Sequence, residues 1–128
     1  MEPALVLRTA TTLLILAAVG GLVMAGIRFF GTGDRWPPRS LAMLHGFLAT
    51  AAITLLVYAG GTVGLPRTAL IALVLLLVAA ALGVTLNLQY HWKQLPLPRR
   101  LILVHAVVAA AGFLLLLEAT WVAWNSGR

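Results

Sequence analysis

The chain has 128 residues, of which 62% are hydrophobic and 9% charged, and its mean hydropathy is +1.02. A soluble domain carries about 25% charged residues, so this chain has too few polar groups to face water on all sides, and lipid is its expected solvent. The net charge of +6 would point to nucleic acid in a soluble protein; here the cations cluster at the ends of apolar runs, so they speak of topology and not of a nucleic-acid partner.

Four runs each reach the roughly 20 apolar residues that cross a bilayer: approximately Ala4–Phe30, Arg39–Gly61, Thr68–Tyr90 and Arg99–Trp124. Lipid offers no partner to backbone N–H and C=O groups, so only helices and closed barrels cross it, and runs that are continuous rather than alternating exclude the barrel. The segments between them, GTGDRWPP, GGTVGLP and KQLPLP, carry glycine and proline breakers. The expected fold is all-α: a polytopic membrane protein whose single domain, residues 1–128, is a four-transmembrane-helix up-and-down bundle.

The first run opens within MEPALVLRTATTLL, which has no basic stretch ahead of its apolar residues. It reads as the first membrane helix rather than a cleaved leader. Its Gly20-Gly21 pair and Gly26 mark close helix packing. Arg8 lies toward the outer end of this helix.

The second run opens with PRSLAMLH and the fourth with PRRLILVH. Each starts with Pro-Arg, keeps a leucine at the fourth place, and places a histidine seven residues after the proline: His45 and His105. Arg8-Thr9-Ala10 also recurs as Arg67-Thr68-Ala69, at an interval of 59. The chain therefore reads as a duplicated helical hairpin, with halves of approximately 4–62 and 63–124. Two crossings per repeat make the halves parallel, related by a pseudo-two-fold axis along the membrane normal. The second and fourth helices become diagonal partners running in one direction. His45 and His105 then sit at equal depth and, if both face the axis, face each other.

The third run ends in NLQYHWKQ. His91 reads there as an interfacial residue beside Trp92 and Lys93, with no repeat partner because the matching position of the first helix is Gly31; a quinone or propionate contact is the minority reading. Asn87 and Gln89 are polar groups without an assigned role. In the fourth run Glu118 is the one carboxylate well inside a span. It lies toward the outer end, where an ion pair with Arg8 on the adjacent first helix would lower the cost of burying both.

Diagonal helices separated by roughly 11–14 Å, given 8–10 Å between neighbours, leave two histidines too far apart for a direct hydrogen bond. The gap suits an imidazole–iron–imidazole sandwich with a porphyrin edge-on between the helices. Ala49 and Ala52 follow His45 by four and seven residues, and Ala109 and Gly112 follow His105 by the same steps. They share the histidine stripe, and their small size would leave a slot toward the bilayer centre. Small residues also simply permit close helix packing. Arg39 and Arg99, at the basic end, suit haem propionates through guanidinium–carboxylate geometry, and ordinary anchoring explains them nearly as well. Alternatives for the histidines are interhelical hydrogen-bonding and a proton relay. Zinc is disfavoured because it takes at least three protein ligands. With no cysteine, disulfides, thiolate ligands and thioether-linked haem are out.

Four helices with single histidines on the second and fourth resemble the transmembrane b-type cytochromes of the cytochrome b561 class, on His45 and His105 within a bundle covering nearly the whole chain. The resemblance implies a four-helix haem-binding core that shuttles electrons. Many members hold two haems through a second histidine pair on the other two core helices. Here the first helix has no histidine and the third only His91, so one haem b is implied, near the basic face.

The leading functional expectation is a membrane cytochrome, metal ligands His45 and His105, exchanging electrons with a quinol or a redox partner protein, with quinol or metal-reductase activity open. The alternatives are a non-redox accessory subunit of a larger membrane complex and, last, a small transporter, which would need a central acidic residue. A homodimer or a larger assembly remains open. Arg28, Arg35, Arg39, Lys93, Arg99 and Arg100 share one membrane face against Arg8, Arg67 and Arg128 on the other. The positive-inside rule makes the first face cytoplasmic and places both termini outside, in what composition suggests is a bacterial inner membrane.

Overall fold

The computed structural model describes residues 2–31 and 36–126; Arg35 and Arg128, counted above for topology, lie outside them. Four helices run in chain order: α1 over Pro3–Phe30, α2 over Arg39–Thr62, α3 over Arg67–Thr85 and α4 over Arg99–Ser126. A π-helical turn, Leu86–His91, prolongs α3. No strand occurs among the described residues. The four helical stretches, counting α3 with its π turn, are each long and apolar enough to cross a membrane, and the chain is an integral multi-pass membrane protein by that measure. Side chains such as Leu22, Val107, Leu114 and Phe30 lie largely exposed, as a lipid-facing surface requires.

Prolines set the helix starts. Pro38 and Pro66 stand immediately before α2 and α3, and Pro3 occupies the first turn of α1, where a missing N–H costs nothing. α3 ends differently. Its last turn widens so that Trp92 N–H donates to Asn87 O and Leu95 N–H to Tyr90 O, and Gln94 then adopts a positive φ of 58°. That left-handed residue stops the helix.

The bundle is two tight hairpins meeting more loosely. α1 packs chiefly on α2 and α3 chiefly on α4, while α1–α4 and α2–α3 contacts are sparser. The core repeats with the hairpins: Ala10, Leu14 and Ala17 on α1 have counterparts in Ala72, Leu76 and Ala79 on α3, and Ala52, Leu56 and Ala59 on α2 in Gly112, Leu116 and Ala119 on α4. All of these are buried. Thr11 and Thr120 share a 2.8 Å hydrogen bond between α1 and α4, and Thr120 also bonds Leu116 O.

This core fills only the half of the bundle away from the basic end. No residue is buried from Ala18 to Phe30 on α1, from Arg39 to Ala51 on α2, or from Arg99 to Ala111 on α4. Burial resumes at the basic end, with Pro37, His91 and Leu97. Between the packed half and that closed end lies a level where side chains are at best half-buried. The histidines are there.

The structure corrects two expectations and refines a third. Arg8 and Glu118 form no ion pair: both are exposed, and the Arg8 guanidinium instead lies 4.1 Å over the Trp124 ring. An exposed position near a span end lets each charge reach water, so pairing is not needed to offset burial. His91 stands at the basic end and is 4% exposed, so its ring is packed within the protein. The repeat register of the odd helices is also not the interval of 59 marked by Arg-Thr-Ala. Ala10, Leu13, Leu14, Ala17, Ala18 and Gly21 recur as Ala72, Leu75, Leu76, Ala79, Ala80 and Gly83, an interval of 62. Residues facing the partner helix fix packing register, whereas Arg-Thr marks only where a helix enters the membrane.

Candidate functional site

His45 on α2 and His105 on α4 meet across the bundle. Their ring centroids are 6.2 Å apart and their planes are inclined at 72°. Each is held from within its own hairpin. His45 Nδ1–H donates to Ala17 O at 2.7 Å, and His105 Nδ1–H donates to Ala79 O at 2.8 Å. A carbonyl only accepts, so both Nδ1 atoms carry a proton, and in a neutral ring the Nε2 atom keeps its lone pair. Neither Nε2 has a hydrogen-bond partner among the described residues.

Glycine makes that anchor reachable. Four residues after each accepting carbonyl, where the helix would place a side chain beside it, stand Gly21 and Gly83. A Cβ at Gly21 would lie 3.1 Å from His45 Cε1 and 3.4 Å from its Nδ1; at Gly83 the same distances to His105 are 3.1 and 3.5 Å. Ala-x-x-x-Gly on each odd helix is therefore a seat for the ring of the following helix. A helix interior normally disfavours glycine by about 1 kcal/mol, and here close approach of a ring is what requires it. Gly20 makes only ordinary contacts with His45 and Leu41, and Gly26 none within 4 Å.

Of the four small residues expected to border a slot, Ala49 and Ala109 are half-buried. Ala52 and Gly112 belong to the packed core. A Cβ on Gly112 would meet Leu76 Cγ at 3.1 Å and Ala72 O at 3.2 Å, so its small size serves the α3–α4 contact. The level without buried side chains lies toward the basic end. Arg39 and Arg99 stand at that end, exposed, with guanidinium groups 5.2 Å over Trp92 and 5.8 Å over Phe29.

His91 takes no part in the pair. Its Nε2–H donates to Pro37 O at 2.8 Å, its Nδ1 lies 3.4 Å from Asn87 Oδ1, and its ring lies 6.2 Å from Trp36. The bond to Pro37 O holds the ring away from the pair.

The geometry can be tested against a bound metal. Two imidazoles bonded through Nε2 to one ion at about 2 Å, with each ring centre about 1.2 Å behind its nitrogen, place their centres roughly 6–6.5 Å apart. The observed centre separation of 6.2 Å falls within that span, and it is also the separation of two rings in ordinary edge contact. Among the described residues no group of three or more His, Cys, Asp or Glu gathers anywhere. Two protein ligands alone suit a metal whose other positions are already filled, as porphyrin fills those of iron, and do not suit zinc. No protein-family model, no curated protein and no solved structure matches the chain.

Proposed function

We propose that the chain is a small membrane b-type cytochrome that holds one haem b between His45 and His105 and passes electrons to or from a quinol or a redox partner protein. The observation that carries this reading is the matched pair of rings, each with its Nδ1 proton committed to a helical carbonyl of its own hairpin. Such a backbone bond fixes the tautomer, orients the ring and raises the basicity of the other nitrogen. Bound there, haem iron would supply one-electron redox chemistry.

The chain's residues contribute the rest. Ala17 O and Ala79 O hold the ligands, and Gly21 and Gly83 let the rings approach. The outer core of Leu14, Leu56, Leu76 and Leu116 keeps water from the far side of the rings. Arg39 and Arg99 stand at the end where porphyrin carboxylates would meet guanidinium groups. A low-dielectric surround and the number of hydrogen bonds to the ligands then tune the potential. Lone ligation near one end places electron exchange at the basic face. By the positive-inside rule that face is cytoplasmic, with both termini outside, in a bacterial inner membrane. The protein works there alone, as a homodimer, or as a redox subunit of a larger complex.

Titration of the detergent-solubilised protein with haem b tests the reading. Absorbance is expected to saturate at one haem per chain, with sharp bands that move on dithionite reduction. A colourless preparation that leaves haem in the micelle would favour the non-redox accessory reading.

A further inference from the structure

The basic end of the bundle is closed by two contacts that mirror one another. Arg28, at the end of α1, donates from Nε at 3.2 Å and from Nη2 at 3.1 Å to Leu97 O in the α3–α4 connection. His91, at the end of the π turn that prolongs α3, donates from Nε2 to Pro37 O in the α1–α2 connection. Pro37 and Leu97 are 60 residues apart, the same interval as His45 and His105, and both are buried. Each hairpin therefore sends one cationic or aromatic donor to a carbonyl in the other hairpin's loop.

The register explains why α3 needs its π turn. Gly21 and Gly83 are 62 residues apart, but Arg28 and His91 are 63 apart. One residue has been added between the ring seat and the donor of the second half. A π turn is what a helix makes of one extra residue, and here it absorbs that residue so that His91 reaches the position Arg28 holds in the first half. Arg28 is thus the counterpart of His91, which Gly31 is not.

We propose that Arg28 and His91 form a reciprocal latch that sets the gap between the two hairpins at the basic end, and with it the spacing of the His45–His105 pair. They are positioning residues. Between this latch and the outer core, the hairpins meet at a level with no buried side chain, so little besides the latch restrains their separation where the histidines stand. The consequence for cofactor retention rests on the haem reading; the latch itself does not.

The test uses the full chain, which has no cysteine of its own. Ser40→Cys and Arg100→Cys, at exposed first-turn positions of α2 and α4, take one spin label each. Pulsed dipolar spectroscopy in nanodiscs without haem then reports the distance between the hairpins. A narrow distribution is expected for the parent. His91→Leu and Arg28→Leu should each broaden it and shift it to longer distance. His91→Gln, whose amide still donates to Pro37 O, should restore the narrow distribution. Unchanged distributions in both leucine variants would overturn the latch, and so would a glutamine variant as broad as the leucine one. In the haem-loaded protein the leucine variants should release haem to an acceptor globin several-fold faster. A parent that takes up no haem but shows the distance effects would sink the cytochrome reading and leave the latch standing.

Discussion

His45→Ala and His105→Ala are each expected to lower haem affinity by more than about 100-fold, past the 10–100-fold that loss of a second-shell partner costs. The reason is geometric. In the proposed site each ring would supply one of the two protein bonds to iron, and the one other imidazole of the chain, His91, is held by Pro37 O. Haem that remains would be bound through one histidine, with a high-spin ferric spectrum. Because alanine leaves a cavity the size of the lost ring, imidazole added to either variant should restore the low-spin bands. A collapse in helical content would separate misfolding from ligand loss, and is not expected: both histidines are only half-buried, outside the packed core. Absorbance titrations with and without imidazole measure all of this. An unaltered spectrum in either variant would remove that residue as a ligand.

Gly21→Leu and Gly83→Leu carry the second large effect. Even a bare Cβ at either position would lie 3.1 Å from the facing histidine, closer than ordinary van der Waals contact. Leucine's branch cannot be accommodated there without turning the ring off its carbonyl. Loss of the Nδ1–H···O=C bond leaves the ligand less basic and less well oriented, so haem affinity should fall about 10–100-fold. A less basic imidazole stabilises ferric iron less, and the midpoint potential should move upward. Gly20→Ala is the matched control, because its Cβ would stand 3.7 Å from His45 Cβ, an ordinary contact. Potentiometric titration of the three variants distinguishes a seat for the ring from general helix packing: equal effects at Gly20 and Gly21 would argue for packing alone.

The fold was largely legible because lipid imposes a coarse requirement, and the sequence meets it four times. The apolar runs and their Gly/Pro breakers place all four helices to within a residue or two of Pro3–Phe30, Arg39–Thr62, Arg67–His91 and Arg99–Ser126. The meeting of His45 and His105 was legible from the repeated Pro-Arg…His spelling together with up-and-down topology. The ring seats were not. In a membrane helix Gly21 and Gly83 look like any small residues that let helices approach, and only the 62-residue register ties them to the accepting carbonyls of Ala17 and Ala79. Ala52 and Gly112 show the reverse: small residues on the histidine stripe, which the structure uses for helix contact. The burial of His91 is not legible, because its partner is a backbone carbonyl, and loop carbonyls leave no trace in a sequence. The Arg8–Glu118 pair failed because similar depth on adjacent helices does not fix which way long side chains turn, and Arg8 finds an aromatic face instead.

The proposed haem site requires two imidazoles to reach one iron from opposite sides, and paramagnetic resonance of the ferric, haem-loaded protein reads that arrangement directly. A low-spin signal is predicted, strongly anisotropic because the ring planes are far from parallel at 72°. A purely high-spin signal from a protein that is folded and saturated with haem would contradict it.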